Sequence, residues 1–166
     1  MAALNELFAR VVPLIDRHGG HVDKFIGDGI LAVFGAPEGY RDHADRAVAA
    51  ALAIAAEAGG PTGGLEMRCG INSGRVIAGS IGGAGRLNFS VIGDVVNVAA
   101  RVEAATRETG DAVLITTATR AAMVRPIELT GRGSISLKGK TEPAELFAPQ
   151  AAIASAAMPS SSALPS

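Results

Sequence analysis

The sequence predicts a single α+β domain in which a mixed β-sheet packs against helices. Short β-type runs occur in pairs joined by glycine-rich turns, which indicates hairpins rather than a doubly wound sheet. Segments with apolar residues at helical spacing separate these pairs. The length of 166 residues suits one domain with its own core, and no internal repeat is present.

The first part of the chain predicts a helix, a hairpin and a second helix. Apolar residues recur at helical spacing until Gly19-Gly20, and two β-type runs then flank Gly27-Asp28-Gly29. An alanine-rich helix follows and ends at a Gly-Gly-Pro sequence. The predicted elements are a helix over 2–18, strands over 21–26 and 30–34, and a helix over 42–58.

The rest of the chain predicts further strands and two helices. The strands lie over 65–71, 75–81, 87–92, 112–116, 127–129, 135–137 and 144–147, and the helices over 94–109 and 117–123. From Pro149 onward the sequence is Ala, Ser and Pro without periodicity, which is typical of a disordered tail. We therefore expect a domain over 1–148 and a tail over 149–166.

Composition narrows the classes of function. With 15 Lys and Arg against 16 Asp and Glu, the chain lacks the excess of positive charge typical of nucleic-acid-binding proteins, so this class of function is not expected. Cys69 is the single cysteine, so an internal disulfide is excluded and a buried filler in a reducing compartment is expected. The chain opens without signal-peptide features, and its longest apolar run, 47–56, is too short to span a bilayer. A cytoplasmic protein without a membrane segment is expected.

The first hairpin carries two residues that chemistry can use. Strand alternation places Val22, Lys24 and Ile26 on one face, where a lysine is unusual. Lys24 is either a snorkelling side chain on an edge strand or a donor at a ligand pocket. Asp28 is either the residue that such a turn prefers or a carboxylate presented to a hard cation such as Mg²⁺.

A second cluster surrounds the predicted helix at 94–109. Asn97 and Arg101 are four residues apart and therefore neighbour each other on one helix face, beside an apolar stripe of valines. They are either a solvated polar pair or a pair directed at a ligand. Asp94 suits an N-cap position. A third cluster, Leu137-Lys138-Gly139-Lys140, places two cations around a glycine and is on its own a common basic turn.

Taken together and in this order, the clusters resemble the catalytic domain of class III nucleotide cyclases of the adenylyl type. The resemblance runs from about residue 4 to 149 and rests on three segments. Residues 22–29 with 32–35 resemble the family's metal-and-purine hairpin, Phe89 to Arg101 its transition-state helix, and 137–140 its phosphate-binding turn. The implied fold is a ferredoxin-like, palm-type mixed sheet packed with helices.

The resemblance implies an enzyme that converts ATP to 3′,5′-cyclic AMP and pyrophosphate. Two such domains pair head to tail, as a homodimer or with a complete cyclase domain, and share each active site. The implied metal ligand for Mg²⁺ or Mn²⁺ is Asp28. The implied substrate-binding residues are Lys24, Ser90 and Lys138, and the implied catalytic residues are Asn97 and Arg101.

Two features of the resemblance concern the purine. A lysine at position 24 can donate to adenine N1, which is an acceptor, whereas guanine N1 is a donor. Ser90 stands where many relatives have Asp, and its hydroxyl both donates and accepts, so it discriminates less. The sequence favours ATP over GTP.

The sequence departs from the family at its start. The family's domain begins with a strand that ends in the other metal-binding Asp, and no Phe-x-Asp-Ile-like segment occurs in this chain. A late-called start, a decayed gene or a half-domain that pairs with a complete cyclase would each account for this. We expect weak or no activity from the isolated chain, with a catalytically inactive pseudocyclase that binds nucleotide or completes a partner as the alternative. The neighbouring strands should lack a pairing partner.

Overall fold

A computed structural model describes residues 2–36, 39–58, 66–81, 88–136 and 143–150. The helices are α1 (Ala2–Arg17), α2 (His43–Ala58), α3 (Asp94–Thr109) and α4 (Thr117–Ala122). The strands are β1 (Gly20–Ile26), β2 (Gly29–Phe34), β3 (Cys69–Ile71), β4 (Ile77–Ile81), β5 (Asn88–Ile92), β6 (Val113–Thr116), β7 (Leu129–Ile135) and β8 (Ala144–Pro149). This confirms the predicted α+β class. In the described ranges no helix combines the length and apolar character needed to cross a membrane.

The described strands form one larger sheet and two hairpins. The four-stranded sheet has the order β3-β6-β8-β7, with β3 parallel to β6 and β8 antiparallel to both of its neighbours. β1 pairs with β2, and β4 pairs with β5, both antiparallel. Within the described part of the chain, the second edges of β2 and β3 pair with no strand.

One helix layer covers strands from separate sheets. Buried side chains of α1 and α2 form a cluster of Leu7, Val11, Ile15 and Ile54. Ala32 and Phe34 of β2 pack against this cluster, and so does Cys69 of β3. Among the described residues, β2 and β3 therefore pack on the same helices although they belong to different sheets and do not pair with each other.

The strand β6 lies at the centre of the remaining core. All four of its residues are buried. Leu114 packs with Val98 and Val102 of α3, whereas Val113 and Ile115 pack with residues of α2. Because neighbouring strand residues point to opposite faces, α3 and α2 cover opposite faces of this strand, and its first three residues are all apolar for that reason.

The structure corrects two predicted element boundaries. Strands were expected over 127–129 and 135–137, but a single strand, β7, runs over Leu129–Ile135. A register irregularity between Gly131 and Ser134 absorbs the glycines that suggested a break. β8 extends to Pro149, and the Gln150 N–H donates to the Glu128 carbonyl at 3.1 Å. The remainder of the expected tail, 151–166, lies outside the described residues.

Candidate active site

The β1–β2 hairpin presents Asp28 at its tip. Phe25 pairs with Ile30 and Ile26 with Gly29, so the chain reverses over Gly27 and Asp28. Gly27 has φ of 58°, in the left-handed region that glycine adopts at little cost. The side chain of Asp28 is exposed there. The turn thus holds one carboxylate out from the fold.

A bulge in β1 overturns the predicted alternation around Lys24. Val22 pairs with Ala32 while Lys24 pairs with Leu31, so Asp23 is an extra residue in this strand. Val22 packs against the α1 cluster, whereas the side chain of Lys24 is 47% exposed. Val22 and Lys24 therefore do not share a face, because the bulge shifts the strand's register between them.

The same bulge brings Asp23 and Lys24 together. The Lys24 Nζ lies 3.6 Å from Asp23 Oδ2, and the Asp23 side chain is 0% exposed. In a regular strand, neighbouring side chains point to opposite faces and could not meet in this way. Sequence reasoning missed Asp23, although a carboxylate in an apolar strand beside a lysine was a signal for it.

Helix α3 presents Asn97 and Arg101 on its exposed side. Val98 and Val102 are buried against Leu114 and Leu146, which fixes the helix's rotation and leaves the other two side chains outward. The helix starts after Gly93, whose φ is 144°, so Asp94 is its first residue rather than the predicted N-cap. An acidic residue in the first turn still suits the helix dipole.

Strand β5 connects the hairpin to this helix. β5 contacts both β1 and α3, and its Ser90 pairs through the backbone with Gly79 of β4. The elements that carry Lys24, Ser90 and the Asn97–Arg101 pair are therefore adjacent in space. The predicted phosphate-binding Lys138 lies outside the described residues.

Large apolar side chains are exposed on the same two hairpins. Phe25 and Ile26 of β1 are 55% and 59% exposed, and Ile77 of β4 and Ile92 of β5 are 70% and 50% exposed. Ile77 and Ile92 lie opposite each other across the β4–β5 pair. Exposed apolar side chains on neighbouring elements make these two hairpins a candidate interaction surface.

Asp28 is the candidate ligand for a divalent cation. Mg²⁺ and Mn²⁺ prefer oxygen donors, which an exposed carboxylate supplies. Among the described side chains, however, no group of three or more His, Cys, Asp or Glu residues lies together. The described residues contribute one suitable donor here and do not form a complete divalent-cation site.

Comparison with known families decides the assignment. Residues 1–148 match the model of the adenylate and guanylate cyclase catalytic domain. The chain belongs to this family. Cyclase domains of this family bind nucleotide, generally use divalent metal ions and commonly dimerise.

Solved cyclase structures share the fold. The adenylyl cyclase CyaB from P. aeruginosa is 30% identical, with a TM-score of 0.75 over 90% of this chain and 81% of that chain. The guanylate cyclase domain of RhGC from Catenaria anguillulae, solved with GTP, is 32% identical, with a TM-score of 0.76 over 90% of this chain and 82% of that chain. Because both types resemble this cyclase domain, family membership does not fix the purine.

Curated relatives are much longer proteins. An uncharacterised protein of Mycobacterium tuberculosis is 44% identical over 99 residues, which is 60% of this chain and 18% of that protein. A second one from the same species is 41% identical over the same shares. The chain thus spans less than a fifth of the length of the curated relatives it matches.

Proposed function

We propose that this cyclase domain takes part in converting ATP to 3′,5′-cyclic AMP and pyrophosphate. The observation that supports this is the placement of β5 against both β1 and α3. Lys24, Ser90 and the Asn97–Arg101 pair, which the resemblance assigns to one nucleotide, stand on these three adjoining elements. We further propose that the expected domain over 1–148 extends through the β8 residue Pro149 and Gln150, that a tail follows it, and that the domain works in the cytoplasm.

Arg101 and Asn97 serve the reacting phosphate and ribose in this proposal. The ribose 3′-oxygen attacks the α-phosphorus, the bond to the pyrophosphate oxygen breaks, and the hydroxyl proton passes to water. The planar guanidinium of Arg101 suits the oxygens of the transferring phosphorus, where negative charge increases. Asn97, on the adjacent turn, orients the ribose, and Lys138 holds the terminal phosphates as a point charge.

Lys24 and Ser90 select the purine. The ammonium of Lys24 can donate to adenine N1, while guanine N1 presents a donor that it would oppose. Asp23, 3.6 Å from Lys24 Nζ, restricts where this ammonium points. The Ser90 hydroxyl can both donate and accept, so most of the preference for ATP rests on Lys24.

A second domain completes the site. The surface formed by Phe25, Ile26, Ile77 and Ile92 offers apolar contacts beside the candidate residues. We place a second cyclase domain there, head to tail, either another copy of this chain or a complete domain. In such a pair Asp28 of one protomer faces the Lys24, Asn97 and Arg101 set of the other.

The divalent cation, Mg²⁺ or Mn²⁺, would bind Asp28 together with donors from outside the described residues. Since Asp28 is the one matching carboxylate in the described hairpin, the site that uses it is incomplete without another donor. We therefore expect the isolated chain to be weak or inactive. The Asn97–Arg101 half of a site does not depend on this carboxylate.

The alternative function is that of a pseudocyclase half-domain. The second edges of β2 and β3, which pair with no strand among the described residues, favour it, because a strand supplied by another segment could pair there. Such a module would bind nucleotide or complete a partner cyclase while making no cyclic AMP by itself.

Cyclic AMP production tests these proposals. The chain is assayed with Mg-ATP and Mn-ATP, alone and mixed with a complete cyclase domain whose own helix Asn and Arg have been replaced. We expect negligible product alone and clear product in the mixture, with ATP used better than GTP. Ready turnover by the isolated chain would show that it is not impaired. A mixture that forms no heterodimer and no cyclic AMP would contradict the proposed function.

A further inference from the structure

We infer that Asn72, at the end of β3, is a positioning residue that sets the place of α3 and thereby of Asn97 and Arg101. This inference rests on the proposed function of those two residues. Asn72 does not contact the nucleotide or select the purine in this role; it holds the helix that carries the reacting groups.

The Asn72 side chain links three elements through hydrogen bonds. Its Nδ2 donates to the Val95 carbonyl in the first turn of α3 at 3.3 Å. Its Oδ1 accepts from the Thr116 hydroxyl at the end of β6 at 2.7 Å. Thr116 in turn accepts from the Thr119 N–H as the N-cap of α4. With the Thr116 proton directed at Asn72, only one orientation of the amide satisfies both contacts.

Thr116 makes this link rigid. It is 3% exposed, and Thr119 is 0% exposed, so the hydroxyl groups lie out of water. The Ser73 hydroxyl, next to Asn72, lies 2.9 Å from Thr119 Oγ1. Asn72 and Ser73 are themselves half-buried, so the network is anchored at its buried threonine end, where hydrogen bonds are stronger than in solvent and costly to leave unmade.

A second contact fixes α3 to β3 further along the helix. A Cβ atom at Gly70 would lie 2.6 Å from Glu103 Cα and 2.7 Å from the Val102 carbonyl carbon. These are backbone atoms and cannot move aside as a flexible side chain could. The strand therefore touches the helix backbone here, and only glycine permits this approach.

The two contacts bracket the candidate catalytic pair. Val95 precedes Asn97 by two residues, and Val102 directly follows Arg101. The N-cap Gly93 makes no side-chain cap hydrogen bond, so the Asn72 amide is a side-chain support that reaches the first turn. The helix segment that carries Asn97 and Arg101 is thus held to β3 at each end.

Loss of the Asn72 contact should affect the catalytic rate and the stability of the fold to different extents. One hydrogen bond contributes about 1 kcal/mol to stability on average, which shifts unfolding only modestly. A displacement of about 1 Å in a group that must align with the reacting atoms can lower the rate by about 100-fold. Loss of the Asn72 contact should therefore lower kcat far more than it destabilises the fold.

The test compares Asn72→Asp with Asn5→Asp in the full chain. At position 72 the change keeps the size and the acceptor for Thr116 but places a carboxylate oxygen against the Val95 carbonyl. Asn5 lies exposed on α1, so the same chemical change there serves as the control. Each variant is mixed with the complete cyclase domain described above, and hydrogen exchange is measured on the variant chain alone.

We expect Asn72→Asp to lower kcat by about 10-fold or more, with little change in KM for ATP. Amide exchange should become faster over 94–101 and stay as in the wild type over 102–109, while Asn5→Asp changes neither. In an Asn97→Ala background, Asn72→Asp should lower kcat by a smaller factor, because one of the two groups that Asn72 positions is already absent.

Unchanged kcat and unchanged exchange over 94–101 would overturn the inference. So would a uniform increase in exchange along the whole chain, which indicates a general loss of stability. If the wild-type chain makes no cyclic AMP in the mixture, the proposed function fails, and the exchange data still decide whether Asn72 holds the first turn of α3.

Discussion

The two regions that carry candidate residues differ in how they are held. Helix α3 buries Val98 and Val102 in the core and is fixed to β3 at Gly70 and Asn72. The β1–β2 hairpin pairs only with itself among the described strands, and its end exposes Ile26. It packs on α1, where Phe8 and Phe25 have ring centroids 5.2 Å apart, and it also contacts α2 and β5.

This difference bears on which half of the proposed shared active site the chain holds firmly by itself. The groups proposed for the transferring phosphate stand on a helix whose position is determined within the described chain. The carboxylate proposed for the cation stands on a hairpin whose β2 edge pairs with no other described strand. A second domain, or a further strand, should change the hairpin more than the helix.

Gly70→Ala is the change that should affect the helix region most. A methyl group there meets the backbone of Val102 and Glu103, so α3 or β3 must shift, and we expect a loss of about 3 kcal/mol in the free energy of unfolding. Urea titration measures this. Gly39→Ala is the control, since a Cβ there has no atom within 4 Å. Equal midpoints for both variants would show that β3 does not hold α3 closely.

Lys24→Ala should weaken the hairpin's part of the site less severely. Loss of a charged donor at a half-exposed position should raise KM for ATP by about 10-fold, with kcat changed less. Asp23→Asn should raise KM by about 2- to 5-fold, because it weakens the hold on a Lys24 side chain that is itself half-exposed. Steady-state kinetics of the mixed enzyme measure both, with Arg17→Ala at the exposed end of α1 as the control. A KM that stays constant in Lys24→Ala would remove Lys24 from the purine site.

The reactivity of the Cys69 thiol in β3 is the third prediction, and at neutral pH it has the smallest expected effect on stability. Burial, helped by the negative charge of Glu103, raises the pKa of the Cys69 thiol from 9.0 to about 12. The folded protein should therefore react slowly with a thiol reagent at pH 8, and the unfolded protein quickly.

The raised pKa also predicts the direction in which the stability of the fold changes with pH. Between pH 9.0 and about 12 the unfolded thiol loses its proton first, so stability falls as pH rises through this range. Below pH 9.0 both states keep the proton and no such change arises. Cys69→Ala should flatten this alkaline decline in stability, and rapid labelling of the folded protein at pH 8 would contradict the raised pKa of this half-buried thiol.

Most of the fold follows from local patterns in the sequence. Apolar spacing predicted α1 and α3 to within a few residues, and the Gly-Asp-Gly turn predicted the β1–β2 hairpin. Helix periodicity placed Asn97 and Arg101 outward and the valines inward, as the structure has them.

The predictions that the structure corrects share one cause: local sequence patterns contain no information on strand register or tertiary contacts. The bulge at Asp23 shifts the strand by one residue, so simple alternation placed Val22 and Lys24 on the same face. Glycines at 131 and 133 look like breaks but lie inside β7. The role of Asn72 depends on Val95 and Thr116, which are distant in sequence, and no spacing rule could connect them.

The most direct test of the central claim is the activity of Arg101→Ala in the mixture with the complete cyclase domain. If this chain supplies the Arg101 guanidinium to the transferring phosphate, cyclic AMP formation should fall by about 100- to 1,000-fold. Arg107→Ala, an exposed arginine on the same helix that pairs with Glu103, should leave it near the wild-type value. Equal activity of the two variants would contradict the account.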